Sequence, residues 1–165
     1  MSSSLKGDSA AAVNQANTRV SSFLVRAELR ATDPRFLRLL SEALARIPAR
    51  VTPVRTLLAI RLANRARSKT LAGLTTYSDR GGHRLRQVQP REGARQTIAF
   101  YSDKLERLSD AAASAVIAHE LAHAWLNEHV SPEESKKRER EADDLAAKWG
   151  FGSELRALDD EAESL

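Results

Sequence analysis

The chain contains no cysteine. Disulfides and thiolate metal sites are therefore excluded, and any metal must be held by histidine and carboxylate. Long apolar runs are missing too. No stretch approaches the roughly eighteen apolar residues that a membrane-spanning helix needs, so no membrane association is expected. The start, Met1 to Asp8, has no basic segment followed by an apolar run. No signal peptide is read there, and a cytoplasmic location is expected. Aromatic residues make up only 5%, with Tyr77 the main one inside the basic stretch, which speaks against stacking on single-stranded nucleic acid. What remains is 42% hydrophobic and 29% charged over 165 positions, the composition of an ordinary globular chain of one domain.

The chain is organised around His119-Glu120-Leu121-Ala122-His123. Residues four apart share a helix face, so this H-E-x-x-H stretch aims two imidazoles at one point. A catalytic zinc takes three protein ligands and keeps a fourth position for water, so a third donor is required. Glu139 lies sixteen positions after His123, far enough for a turn and a second helix to bring it back. His129 lies ten after His119, the spacing of the metzincin motif, and is the rival. For His129 to swing back, the helix must break near Leu126, where a positive φ is costly, although Asn127 would tolerate the turn. The only methionine is Met1, so a Met-turn is missing. The plain reading of His129 is an exposed residue just past the helix C-terminus, where an imidazole suits the dipole. Glu120 projects beside the metal's water and can take its proton as general base. Asp143, one turn after Glu139, can accept the free ring N–H of His119 and fix its tautomer. Alone, H-E-x-x-H is a weak filter and the stretch around Glu139 reads as a charged, solvated helix face. The pairing of the two motifs decides for a metal site.

His119, Glu120, His123, Glu139 and Asp143 together resemble the gluzincin metallopeptidases, whose third zinc ligand is a glutamate in E-x-x-x-D on a following helix. The run from Glu139 to Gly150 is similar to the E-x-x-A-D-x-x-A-x-x-x-G pattern of the CAAX-prenyl-protease/HtpX branch and its soluble miniatures, the minigluzincins. Without a membrane span, the soluble miniatures are the nearer likeness. The resemblance covers roughly 57–151 and implies one Zn2+ per chain on His119, His123 and Glu139. It also implies Glu120 as catalytic base and a peptide or protein substrate. A zincin-like core is implied as well, with the strand before the active-site helix, 97–102, as the cleft's upper rim, open to an extended peptide. Ile60 to Leu74, Thr97 to Ser102 and H-E-x-x-H are similar to the SprT-like proteases, which act on DNA-associated proteins. Those use a further downstream histidine, and none follows His129 here. The ImmA/IrrE-type proteases share E-x-E-A but carry asparagine where this chain has Asp143.

The remaining elements make the expected fold α+β. Residues 1–14 are small and polar and read as a mobile N-terminus, and 15–165 as a single zincin-like domain. Within it, 15–50 is expected to be helical: Val20, Phe23, Leu24 and Ala27 recur at helical spacing, and Asp33-Pro34 starts a helix carrying Phe36, Leu37, Leu40 and Leu44. Ile47-Pro48 ends that helix. A catalytic core over 51–151 follows, with an acidic C-terminal helix over 152–165. Periodicity leaves 55–65 open between helix and strand. A small sheet of about three strands is read at 70–78, 83–88 and 96–102, with a turn at 79–82. A short helix or turn at 103–108 and a cap at Ser109 or Asp110 then lead into the active-site helix.

Charge is uneven along the chain. The net charge is +4 and the pI about 9.8, and 50–95 holds eleven Arg and Lys against Asp79 and Glu92. Most such enrichment is solvated surface, yet an acidic partner such as nucleic acid is a candidate for this half. Two further readings stay open: a binding module stabilised by structural zinc, and a latent enzyme whose cleft is covered by the acidic tail or the N-terminus.

Overall fold

The computed structural model describes residues 28–51, 54–64, 73–78, 95–130 and 138–162. The helix read over Val20 to Ala27, the turn at 79–82, the strand at 83–88 and residues 1–14 lie outside them.

The fold is α+β. Strand β1 (Glu28–Arg30) is followed by helix α1 (Pro34–Arg46), then β2 (Leu57–Ala63), β3 (Gly73–Ser78) and β4 (Arg95–Tyr101). A single turn, α2 (Ser102–Leu105), leads into the long α3 (Asp110–His129), and α4 (Arg138–Ala146) and α5 (Gly152–Ala162) close the described part. Among the described residues no helix is long and apolar enough to cross a membrane.

The four strands form one sheet in the order β1-β2-β4-β3. Strands β1, β2 and β4 are parallel, with Leu29 opposite Ile60 and Ile60 opposite Ile98. Strand β3 is antiparallel to β4, from Gly73 opposite Phe100 to Ser78 opposite Arg95. Of the about three strands expected, those at 70–78 and 96–102 are found as β3 and β4; β2 falls in the stretch left open, and β1 lies inside the stretch expected to be helical. The stretch left open at 55–65 is a strand because it is apolar on both faces: Leu57, Ala59 and Ile60 are all buried. Parallel strands covered on both faces read as continuous apolar runs, which hides their period of two. One expectation is overturned. The 97–102 strand was expected to be the exposed rim, but β4 is internal, hydrogen-bonded to β2 on one side and β3 on the other. Among the described residues the open edges belong to β1 and β3.

Helix α1 starts as its sequence dictates: the Asp33 side chain accepts from the Phe36 amide at 2.6 Å, and Pro34 occupies the first turn. Its apolar stripe is buried, and Phe36 meets Phe100 of β4 with ring centroids 5.2 Å apart. Helix α3 is capped by Ser109, whose hydroxyl accepts from the Ala112 amide at 3.2 Å. The uncharged run Ala111 to Ala118 has small side chains, so neighbouring elements approach α3 closely from several directions, and most of its residues are buried.

Polar contacts fix α3 at both ends. At its start, Arg35 of α1 donates to Asp110 and to the carbonyls of Leu105 and Leu108, at 2.7, 2.9 and 2.7 Å. At its other end, the buried Gln96 side chain donates to Thr56 Oγ1 at 2.8 Å and to the Ala124 carbonyl at 3.0 Å. Asn127 donates to Gln96 Oε1 at 3.2 Å, and Glu128 accepts from the amides of Arg55 and Thr56. The junction between α4 and α5, Ala147–Phe151, turns at Gly150, whose φ of 98° suits glycine. Arg46 holds that turn, donating to the Gly150 carbonyl, pairing with Glu154 and lying 3.9 Å from the Phe151 ring centroid.

Gln96→Leu keeps the volume of the side chain but strips partners from Thr56, Asn127 and the Ala124 carbonyl. It is expected to lower stability in urea unfolding by about 1–3 kcal/mol. A loss below roughly 0.5 kcal/mol, the range of an uninvolved surface site, would show that the network does not hold α3.

Candidate metal centre

The two histidines stand where a helix puts residues four apart. His119 and His123 both lie within α3, their rings 4.5 Å apart between centroids and 84° between planes. Their side chains are only 17% and 13% exposed. The chain leaves α3 at Val130 and re-enters helix at Arg138, so that Glu139, in the first turn of α4, faces both rings. Glu139 Oε2 is 3.2 Å from His119 Nε2, and Glu139 Oε1 is 3.3 Å from His123 Nε2. One turn further, Asp143 Oδ1 is 2.7 Å from His119 Nδ1.

Asp143 accepts, so the Nδ1 of a neutral His119 carries the hydrogen and its Nε2 keeps a lone pair. In that tautomer Nε2 faces the Glu139 carboxylate. Donor atoms of His119, His123 and Glu139 lie within 4.8 Å of one another. A protonated imidazole would be ion-paired with Glu139 here, and the same three donors could instead hold a cation between them. With metal–donor bonds of about 2.0–2.1 Å in a tetrahedron, donors are separated by about 3.3 Å. The observed 3.2 and 3.3 Å run to different oxygens of Glu139, Oε2 and Oε1, so the carboxylate spans the two rings. The donor set, two imidazoles and one carboxylate, is of the kind that suits zinc.

Burial pushes the His123 imidazole below the ordinary histidine range; His119 and Arg138 push the same way, and Glu139 opposes them. A neutral imidazole is the metal-ready form. Glu120 follows His119 directly and is buried, 7% exposed, on the helix turn that joins the two histidines. It is a carboxylate kept next to the donor cluster by the covalent chain itself.

His129 does not join the cluster. Helix α3 runs without a break through Leu126 to His129, which places His129 roughly 15 Å of helix rise beyond His119. Its Nδ1 lies 2.9 Å from the Trp125 carbonyl, and its ring stacks on Trp125 at 4.5 Å. Tyr101 is buried at the end of β4 opposite to Gln96, the residue that meets α3 near the histidines. Of the basic stretch, Arg50, Arg55, Arg61 and Arg95 are exposed, while Arg65, Arg67, Lys69, Arg80, Arg84, Arg86 and Arg91 lie outside the described residues. The acidic helix α5 leads toward the start of α3, where Glu161 accepts the Ser109 amide at 3.0 Å. That end is roughly 15 Å of helix from His119, so the described tail does not reach over the histidines. Two groups escape a sequence reading: Gln96, a polar residue in an apolar strand, and Arg138, whose one signal is its place immediately before Glu139.

In the metal-free protein, the lowered His123 makes folding sensitive to pH. The unfolded chain takes up a proton near the ordinary value of 6.5, and the folded state does so only at lower pH. Stability therefore falls as pH drops below about 6.5, levels off below the folded value, and is unaffected by this group at higher pH. Relative to His123→Gln, the wild type should lose stability in denaturant titrations between about pH 7 and pH 5. A pH-independent difference would mean that His123 is solvated alike in both states. Compared with known proteins, the chain matches no family model, no curated protein and no solved structure. What the chain itself offers is a possible metal-binding group, His119, His123 and Glu139.

Proposed function

We propose that the protein is a zinc-dependent metallopeptidase with a gluzincin-type centre, hydrolysing peptide bonds in a peptide or protein substrate. The observation that carries the reading is the convergence of donor atoms of His119, His123 and Glu139, beside the buried Glu120. His119, His123 and Glu139 would hold the ion. Bound there, zinc supplies a Lewis acid for the scissile carbonyl and an acidified water. Asp143 keeps His119 in the tautomer that offers Nε2 to the ion. Glu120 accepts the proton of the attacking water and returns it to the nitrogen of the departing amine, so that the carboxylate is regenerated at the end of the cycle.

A zincin-like arrangement is supported by the order of elements, a sheet followed by α3 and α4, and by an antiparallel strand at the sheet edge. In this reading β3, an edge strand among the described residues, rather than β4 would take an extended peptide, since β4 has both edges occupied. The number of donors favours catalysis over structural zinc. Closed structural sites take four protein ligands, and the cluster among the described residues has three.

The test is cleavage of an unstructured polypeptide mixture by zinc-loaded protein, mapped by mass spectrometry. Cuts by the wild type should disappear on chelation, and Glu120→Gln should slow them by about 10²–10⁴-fold while still binding zinc. Equal cleavage by Glu120→Gln would remove the proposed base. Absence of cleavage by a wild type carrying zinc would favour the non-catalytic binding module.

A further inference from the structure

Two of the three donors are placed by one helix, but the third depends on how a second helix is docked. The Glu139 side chain is 83% exposed, so packing around the carboxylate does not hold it in place. Something must set the start of α4 against the end of α3. Arg138 is the first residue of α4, and its Nη2 donates to the Val130 carbonyl at 2.8 Å. Val130 is the residue that ends α3, its own amide bonded to the Leu126 carbonyl at 2.9 Å. A guanidinium on a terminal helix carbonyl makes a charge-assisted bond and meets the negative end of the helix dipole. The second nitrogen, Nη1, is buried and has no hydrogen-bond partner among the described residues. Leaving a charged donor in that condition is costly, and an arginine free in solvent would avoid it. The side chain is thus placed by the junction between the helices and not by its own hydration.

We propose that Arg138 is a positioning residue for the metal centre: by donating to the Val130 carbonyl it ties the first turn of α4 to the last turn of α3, and so sets where the Glu139 carboxylate meets His123. This rests on reading His119, His123 and Glu139 as metal ligands. Two opposing effects are separable. As a tether, Arg138 strengthens metal binding by holding Glu139 in register. As a nearby positive charge, it would weaken binding of a divalent cation. The tether dominates, because a misplaced carboxylate removes a whole ligand while the charge acts at longer range.

The experiment uses the full chain with Arg138→Met, which keeps a long apolar stem but has no donor, and Arg138→Lys, which restores one donor and the charge. Glu139→Gln is the control. Zinc affinity is measured by competition with a chelator, and coordination by the visible absorption of the cobalt(II)-loaded protein. Arg138→Met should bind zinc about 10–100-fold more weakly, the range seen when a residue supporting a ligand is lost. Its cobalt spectrum should shift toward that of Glu139→Gln, and Arg138→Lys should return both readouts toward wild type. Wild-type or tighter affinity in Arg138→Met, with Glu139→Gln weakened, would overturn the proposal and leave the ligand set intact. So would a lowered melting temperature with an unchanged cobalt spectrum. Wild-type affinity and spectrum in Glu139→Gln would instead remove Glu139 as a ligand, and the proposal with it.

Discussion

Helix α3 can aim two imidazoles at one point but cannot supply a third donor to it. The helical period brings His119 and His123 together, and the next residue on that face is again on the same side of the ion. The third donor must come from another element approaching from outside. Most of the architecture around the site follows from this constraint. Helix α4 runs back along α3, so Glu139 meets both histidines and Asp143, one turn later, meets His119. The same four-residue step serves both helices, and for that reason the supporting carboxylate and the ligand carboxylate fall on one face.

A helix at the centre of such a site needs a fixed position, and in the middle of α3 the side chains of Val116, Ile117 and Leu121 are packed in the core. The polar anchors sit at the two ends. Arg35, Arg38 and Glu161 gather at Ser109 and Asp110, where Arg38 reaches Asp110 at 2.5 Å. Gln96, Thr56, Glu128 and Arg138 gather at the other end. The exposed ion pairs among these are individually weak. The buried bonds of Gln96 have no water to replace them and carry more of the positional constraint.

How much of this was legible in the sequence depends on the range of the interactions. The histidines, Glu120, Glu139 and Asp143 were legible because a four-residue period and one return of the chain are enough to place them. The cap at Asp33 was legible from the local Asp-Pro pair, and that of α3 was narrowed to Ser109 or Asp110, of which Ser109 is the cap. The strand β2 was not decided by its pattern, since burial on both faces erases the alternation. The place of β4 inside the sheet was not legible either. Order in a sheet depends on which distant segments pair, and β1, only three residues long, pairs in parallel with β2 from the other side of α1. Gln96 carries no signal of burial, because its partners, Thr56 and Ala124, lie 40 and 28 residues away.

The site is asymmetric in a way that bears on what it can do. The histidines are nearly covered, while Glu139 and Asp143 are largely exposed. The covered half is preorganised by α3, and burial disfavours the charged form of His123. The exposed half faces solvent and, in the proposed peptidase, is the side from which a substrate would arrive. A structural ion would be better served by the reverse, with every ligand enclosed and none left to exchange. An open carboxylate opposite two buried imidazoles leaves one side of the ion accessible. It also makes retention of the ion depend on the docking of α4, the part of the centre that local sequence controls least.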